Sequence, residues 1–262
     1  MPTQSTQLDT LHAELRACRR CLEEGYWIVP GPVFSGGSAA GVMLIGQAPG
    51  VTEGKVKRPF NAGSGKRLFQ WLGEAGWDEA EFRTRHYMTA VTKCYPGPSG
   101  NGKGDRVPTP FEQALCRPWL EQEIRLVNPR LMILVGGLAI KLLYPANARL
   151  NELIGTAAYF PPEALVGDLL NFDITKAKIL TTGDHQQTTA AGETVDQLHF
   201  TSEEPFLTRH SSLVARHSTG GRFIVPLPHP SGASLWPNKA ENQALIRRAI
   251  KLLDAIRIAY GL

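Results

Sequence analysis

Residues 42–50, VMLIGQAPG, set four large apolar residues directly before a loop of glycine and proline. A run without polar alternation is the pattern of a short strand buried on both faces, and the break after Ile45 places a loop at its carboxyl end. The same grammar recurs along the chain. Residues 131–135, LMILV, run into Gly136-Gly137, which opens a helix expected to end near Tyr144. Residues 86–91 read as a second strand and 222–225 as a further one. Between them lie segments of helical period. Leu8, Leu11, Leu15 and Cys18 recur at helical spacing, Ser64 is placed to cap a helix running to about Gly76 with Leu68, Phe69 and Leu72 inside, Phe111 to Val127 is helical, and Asn238 to Tyr260 forms a long amphipathic helix. Strands alternating with helices predict an α/β fold with a mainly parallel sheet covered on both faces. The stretch at about 146–221 breaks this rhythm. It is long and polar, carries no repeat or motif, and reads as an insertion on one domain spanning residues 1–262. Its histidines, His185, His199, His210 and His217, lack metal-ligand spacing and are expected at the surface.

The 262 residues, 42% hydrophobic, suffice for one large core or two modest ones. No apolar run approaches the roughly 18 residues of a spanning helix. The first twenty residues carry acidic side chains and lack the apolar centre of a secretory signal, so a cytoplasmic protein is expected. A net charge of +4 fits a polyanionic partner and equally fits many ordinary enzymes.

The four cysteines are Cys18 and Cys21, as C-x-x-C, then Cys94 and Cys116 far downstream. In an intracellular chain this set favours a metal or an iron–sulfur cluster over disulfides, and the spacing does not separate zinc from a cluster.

In an open α/β sheet, ligands bind in loops beyond the carboxyl ends of the strands. Three such loops stand out: Gly46 to Gly65 (GQAPGVTEGKVKRPFNAGSG), the cationic Tyr95 to Pro110 (YPGPSGNGKGDRVPTP), and His229-Pro230-Ser231-Gly232 followed by Leu235-Trp236. Gly65-Lys66 imitates the end of a phosphate-binding P-loop, but Arg67 replaces the required hydroxyl residue and position 60 is not glycine, so that reading fails. Singly, Phe60, His229, Leu235 and Trp236 are each as readily explained by packing.

In combination, GQAPG…RPFNAGSG, Tyr87-Met-Thr-Ala-Val-Thr-Lys-Cys94, Pro108-Thr-Pro…Cys116 and His229-Pro-Ser231 resemble the uracil-DNA glycosylase superfamily, most of all its iron–sulfur families, commonly numbered four and five. The resemblance covers about residues 10–145 and 222–258. It implies a three-layer αβα sandwich around a four-stranded parallel sheet, with Cys18, Cys21, Cys94 and Cys116 holding a structural [4Fe–4S] cluster. It further implies a monomeric base-excision repair enzyme that binds uracil-containing DNA, single- or double-stranded. The target base leaves the helix at a cost of a few kcal/mol. Phe60 would stack on the flipped base, and Ala48 and Ala90 would border it. His229 would steady the negative charge that develops on uracil, with the amides of the Gln47–Ala48 region assisting. Ser64, Lys66 and Ser231 would hold the DNA backbone, and Leu235 and Trp236 would wedge into the emptied stack.

The sequence departs from both family patterns. Where family four has Glu, Gln47 is an amide that orients water but cannot take its proton. Where family four has Asn, Ala90 offers a methyl group that cannot read the uracil edge, which points to a wider range of deaminated bases. The loop Asp of family five is missing from Asn61-Ala-Gly-Ser-Gly65. Glu53 is the nearest spare carboxylate and is assigned a catalytic or gating role. No lysine stands in a Schiff-base motif, so a monofunctional hydrolase using water is expected. The alternative is an altered member that binds damaged or single-stranded DNA without excising the base. A redox or sensing role for the cysteines is the third class, and no partner-docking motif accompanies them.

Overall fold

The computed structural model describes residues 2–100, 104–165, 177–188, 194–200, 221–232 and 234–262. In chain order the elements are α1 (Gln4–Ala17), α2 (Arg20–Glu23), β1 (Val42–Gly46), α3 (Val51–Val56), α4 (Gly63–Glu74), α5 (Glu79–Arg85), β2 (Tyr87–Ala90), α6 (Pro110–Val127), β3 (Leu131–Val135), α7 (Gly137–Ile140), α8 (Leu150–Leu153), β4 (Ala157–Phe160), β5 (Lys178–Thr188), β6 (Thr194–Phe200), β7 (Arg222–Leu227) and α9 (Ala240–Tyr260). Short 3₁₀ turns occupy Pro162–Leu165 and Trp236–Asn238.

One sheet runs in the order β2-β1-β3-β7-β4-β5-β6. The first four strands are parallel, with Leu44 opposite Met88 on one side and Ile133 on the other, and Ile133 opposite Val225. This is the four-stranded parallel sheet that the resemblance implies. Val42, Met43, Leu44 and Ile45 are all completely buried, as an uninterrupted apolar strand between two helical layers must be. Helices α1 and α6 pack together as one layer, and α4, α5 and α9 associate as the other. Leu68 and Leu72, one helical turn apart on α4, are fully buried, each contributing about 2 kcal/mol by removal from water.

The insertion is more regular than its polar sequence suggests. β4 pairs antiparallel with β7 through Ala158 and Ile224, and β5 and β6 continue outward as an antiparallel ribbon. Alternation in β4 is absent because Ala157 to Phe160 are all buried beneath neighbouring elements. His185 and His199 fall on β5 and β6, where only the backbone is described; His210 and His217 lie outside the described residues.

Two boundaries differ from the sequence reading. Ser64 is not the cap of α4: Ala62 is, with no side-chain cap of its own, and Ser64 sits inside the first turn. The helix after Gly136 ends at Ile140 rather than near Tyr144, and residues 141–143 continue as turn. α6 is the best-capped helix. Thr109 and Glu112 form a reciprocal capping box with Pro110 as the first helical residue between them, which satisfies two amides that would otherwise lack partners. No helix of the described residues is long and apolar enough to cross a membrane.

Candidate active site at the carboxyl ends of the parallel strands

A cleft of ≈ 490 Å³ opens where the parallel strands end; Gly46, Gln47, Phe60, Ala90, Asp105 and His229 are among its walls. The three loops singled out in the sequence meet there. The backbone ties them together: Val91 donates its amide to Gly46 at 3.0 Å and Thr92 to Gln47 at 3.3 Å, so the loops after β1 and β2 are stitched together at their bases.

Phe60 lies over the end of β1. A Cβ placed on Gly46 would stand 2.9 Å from its ring tip, so only glycine lets the aromatic ring approach so closely. Phe60 adopts a left-handed backbone, φ 50, which costs an L-residue about 1–2 kcal/mol. Arg83 on α5 secures it, donating to the carbonyls of Pro59 and Phe60 at 2.8 Å each while its guanidinium covers the Phe69 ring at 4.2 Å. A Cβ on Gly65 would meet the Phe60 carbonyl oxygen at 1.9 Å, so the turn into α4 also requires glycine.

Glu53 is buried, and its Oε1 accepts the amides of Asn61 and Ala62 at 3.1 Å each. That carboxylate therefore shapes the phenylalanine loop and supplies the anchor that Ala62 lacks as a cap. Its Oε2 is next to Gly50, 2.8 Å from the position of a Cβ there, and Asp105 Oδ2 is 3.0 Å from the same position. Two carboxylates from different loops thus converge on one wall of the cleft. Asp105 is a site residue that sequence reading missed, because its neighbours Gly104 and Arg106 mark it as one more member of a charged loop.

His229 follows β7, half-buried, with Gly136 behind it at φ 87; a Cβ on Gly136 would press against the imidazole at 3.0 Å. Its Nδ1 accepts the Ser231 amide at 3.2 Å and stands 2.8 Å from the Ser231 hydroxyl. Burial pulls its pKa below the ordinary value, favouring the neutral ring. With Nδ1 accepting, the ring proton resides on Nε2, so the imidazole is a neutral hydrogen-bond donor.

The other expected residues divide. Gln47, Ala48, Ala90, Ser64 and Ser231 line the cleft. Ala90 is buried, and its carbonyl accepts from Lys93 Nζ at 2.7 Å, within a buried network in which Lys93 also meets Glu123 at 2.6 Å. Lys66 is exposed on α4 and does not border the cleft. Leu235 projects into solvent, 74% exposed, whereas Trp236 is half-buried against the core.

The four cysteines come from the end of α1, from α2, from the residue run after β2 and from α6, and all four border one small cavity with Thr92, Lys93, Arg19 and Arg20. All are thiols, none joined to another. Burial pushes Cys94 up to about 11 and Cys116 to about 12. Among the described residues no three His, Cys, Asp or Glu side chains converge on a point where one metal ion would fit. Four thiols from separate segments around one cavity are donors of the type that a metal ion or an iron–sulfur cluster takes. The buried hydroxyl of Thr92 has no hydrogen-bond partner and lies on this cavity wall, a donor that would suit an anionic sulfur cluster, and Arg19 and Arg20 would offset part of such a cluster's charge.

A sequence profile of the uracil DNA glycosylase superfamily matches residues 34–254. A type-4 uracil-DNA glycosylase of Pyrobaculum aerophilum is 31% identical over 150 residues, which cover 56% of this chain and 70% of that protein. A type-4 enzyme of Sulfurisphaera tokodaii is 30% identical over 142 residues, 52% of this chain and 58% of the relative. A type-5 uracil-DNA glycosylase, also of Pyrobaculum aerophilum, is 28% identical over 144 residues, 51% of this chain and 60% of the relative. In these last two comparisons the chain spans less than two thirds of the relative. The glycine- and proline-rich loops at the ends of a parallel sheet, the histidine after its last parallel strand and the profile spanning most of the sequence agree: the chain belongs to the uracil DNA glycosylase superfamily.

Proposed function

We propose that this protein, as a monomer with one glycosylase domain, releases uracil from DNA by hydrolysing the bond between C1′ of deoxyribose and N1 of the base. The observation that carries the reading is the state of His229. Ser231 fixes Nδ1 as the acceptor, so Nε2–H is left as the donor in a cleft that also presents the Phe60 ring over Gly46. As the glycosidic bond lengthens, electrons move onto the base, and a neutral donor already oriented in a half-dry cleft stabilises that charge without reorganising. Phe60 offers a face for the flipped base, and Ser64, Ser231 and the nearby amides contact the backbone. Exposed Leu235 enters the vacated stack. The methyl group of Ala90 leaves the base edge unread, which supports acceptance of hypoxanthine and xanthine beside uracil.

Cys18, Cys21, Cys94 and Cys116 would hold a [4Fe–4S] cluster. That group would cross-link the end of α1, α2, α6 and the loop after β2. Iron and acid-labile sulfide in equal amounts in the purified protein, both lost in Cys116→Ala, is the expected analysis; zinc in their place would overturn the assignment.

The decisive experiment incubates the protein with an oligonucleotide bearing one uracil and then treats it with alkali. Strand breaks are expected, with His229→Ala slower by about 10²–10³-fold. The amide of Gln47 and the methyl of Ala90 favour a second reading, a member that binds damaged DNA without cutting. Tight binding with no strand breaks would replace the first reading with the second.

A further inference from the structure

Hydrolysis releases a proton from the attacking water, and among the described residues two carboxylates line the cleft where it could go, Glu53 and Asp105. Glu53 has Oε1 committed to the amides of Asn61 and Ala62, where it holds the loop that carries Phe60. Asp105 is held differently. An antiparallel bridge pairs it with Pro98 across the loop. Its backbone is closed into a tight hairpin, with Ser99 donating to Gly104 and Arg106 to Gly97, both at 2.9 Å. Arg106 anchors that hairpin through two bonds to Glu112, at 2.6 and 2.7 Å, and one to the Trp27 carbonyl at 3.1 Å. The side chain is exposed to the solvent of the cleft and borders it together with Gln47, Phe60 and His229. Asp105 Oδ2 and Glu53 Oε2 flank the same position beside Gly50, within about two hydrogen-bond lengths of each other.

We propose that Asp105 is the catalytic residue that accepts the proton of the attacking water, in place of the carboxylate absent at Gln47. Glu53 Oε2 and the Gln47 amide orient that water. The inference rests on the glycosylase reading above. In the step, the C1′–N1 bond breaks and its electron pair leaves with the base, where the charge meets His229 Nε2–H. A lone pair of the water oxygen forms the C1′–O bond, and the water proton passes to an Asp105 carboxylate oxygen. That proton is then released to solvent, from which the departing base anion regains one. The products are the free base and an abasic sugar, with no redox change and no further reactant.

The experiment compares wild type, Asp105→Asn and Asp105→Glu in single-turnover release of uracil from an oligonucleotide across pH. Binding to an oligonucleotide with a tetrahydrofuran abasic analogue is measured in parallel by fluorescence anisotropy. Asp105→Asn is expected to slow release about 10²-fold or more, to abolish the acid limb of the pH–rate profile, and to leave binding within about twofold. Asp105→Glu is expected to recover part of the rate, because the carboxylate is retained on a longer arm. An active wild type matched within about threefold by Asp105→Asn overturns the role of Asp105 while the glycosylase reading stands. Parallel loss of rate and of binding also overturns it, showing that Asp105 serves DNA placement. A wild type that releases no uracil overturns both.

Discussion

Nη2 of Arg83 donates to the carbonyl oxygen of Phe60 at 2.8 Å, fixing from α5 a left-handed backbone at the residue that floors the cleft. The guanidinium is only 10% exposed and is held in turn by Glu79 at 2.8 Å. The strain at Phe60 is therefore met by bonds made 23 residues away. In Arg83→Met both carbonyls lose their donor. Stability is expected to fall by about 1–3 kcal/mol, and uracil release about tenfold or more through a higher KM. Urea denaturation and steady-state kinetics measure the two; an unchanged KM with reduced stability would mean that the clamp serves the fold alone.

Gly46→Ala tests the contact between the end of β1 and the Phe60 ring. The new methyl would lie 2.9 Å from the ring tip and 3.2 Å from its neighbour, so the ring must move off the cleft floor. The expected cost in stability is about 1–3 kcal/mol, with kcat/KM lowered at least tenfold. Adding Phe60→Leu should return stability without returning activity. Full activity in Gly46→Ala would remove Phe60 from the stacking role.

Stability should decline as pH falls from about 6.5 to 4. His86 packs against Phe82 at 4.7 Å, its Nδ1 is buried without a partner, and burial lowers its pKa to about 4. Its ordinary value is 6.5. Below 6.5 the unfolded chain therefore binds a proton that the folded chain refuses. The contribution is complete above 6.5 and disappears as pH drops through 4, on the order of 3 kcal/mol. His12 and His229 are lowered by burial as well and act in the same sense. Chemical denaturation at stepped pH should show a shallower slope in His86→Phe; an identical slope would clear His86 of the effect.

Lys93 and Glu123 form a buried ion pair at 2.6 Å with side chains 1% and 0% exposed. Thr89 and the Ala90 carbonyl complete the ammonium's bonds, and the Tyr87 hydroxyl meets Glu123 at 3.1 Å. Lys93→Met strands the carboxylate and should cost about 3–5 kcal/mol, whereas Lys93→Met with Glu123→Leu should recover most of it. If the double variant is no better than the single one, the charges themselves are required. Because Lys93 holds the strand end beside Ala90 at the cleft wall, the double variant should also release uracil more slowly than wild type in a single-turnover assay.

Much of this architecture was legible in order. The apolar runs at 42–45 and 131–135 are buried strands because nothing in them requires water, and the loops after them carry the cleft for the same reason. The cysteine spacing anticipated four thiols around one cavity, a consequence of α1 ending at Cys18 and α6 presenting Cys116 inward. Reading went astray where the deciding contact is distant. Ser64 has the chemistry of a helix cap, but the helix starts before it, at Gly63, with the Ala62 amide held by Glu53. The polar insertion contributes strands because β7 offers an unpaired edge to β4, and edge pairing is satisfied by backbone rather than by side-chain pattern.

The sequence by itself determined the alternation of strands and helices, the family pattern, the four thiols and the identity of Phe60 and His229 as residues of interest. These depend on local periodicity and on motifs a few residues long. Only the tertiary structure decided that Arg83 fastens the phenylalanine loop, and that Asp105 faces Glu53 across Gly50. Each of these is a hydrogen bond or a steric contact set by where a loop closes, and closure depends on the packing of the whole sheet and its helices rather than on the residues adjacent in the chain.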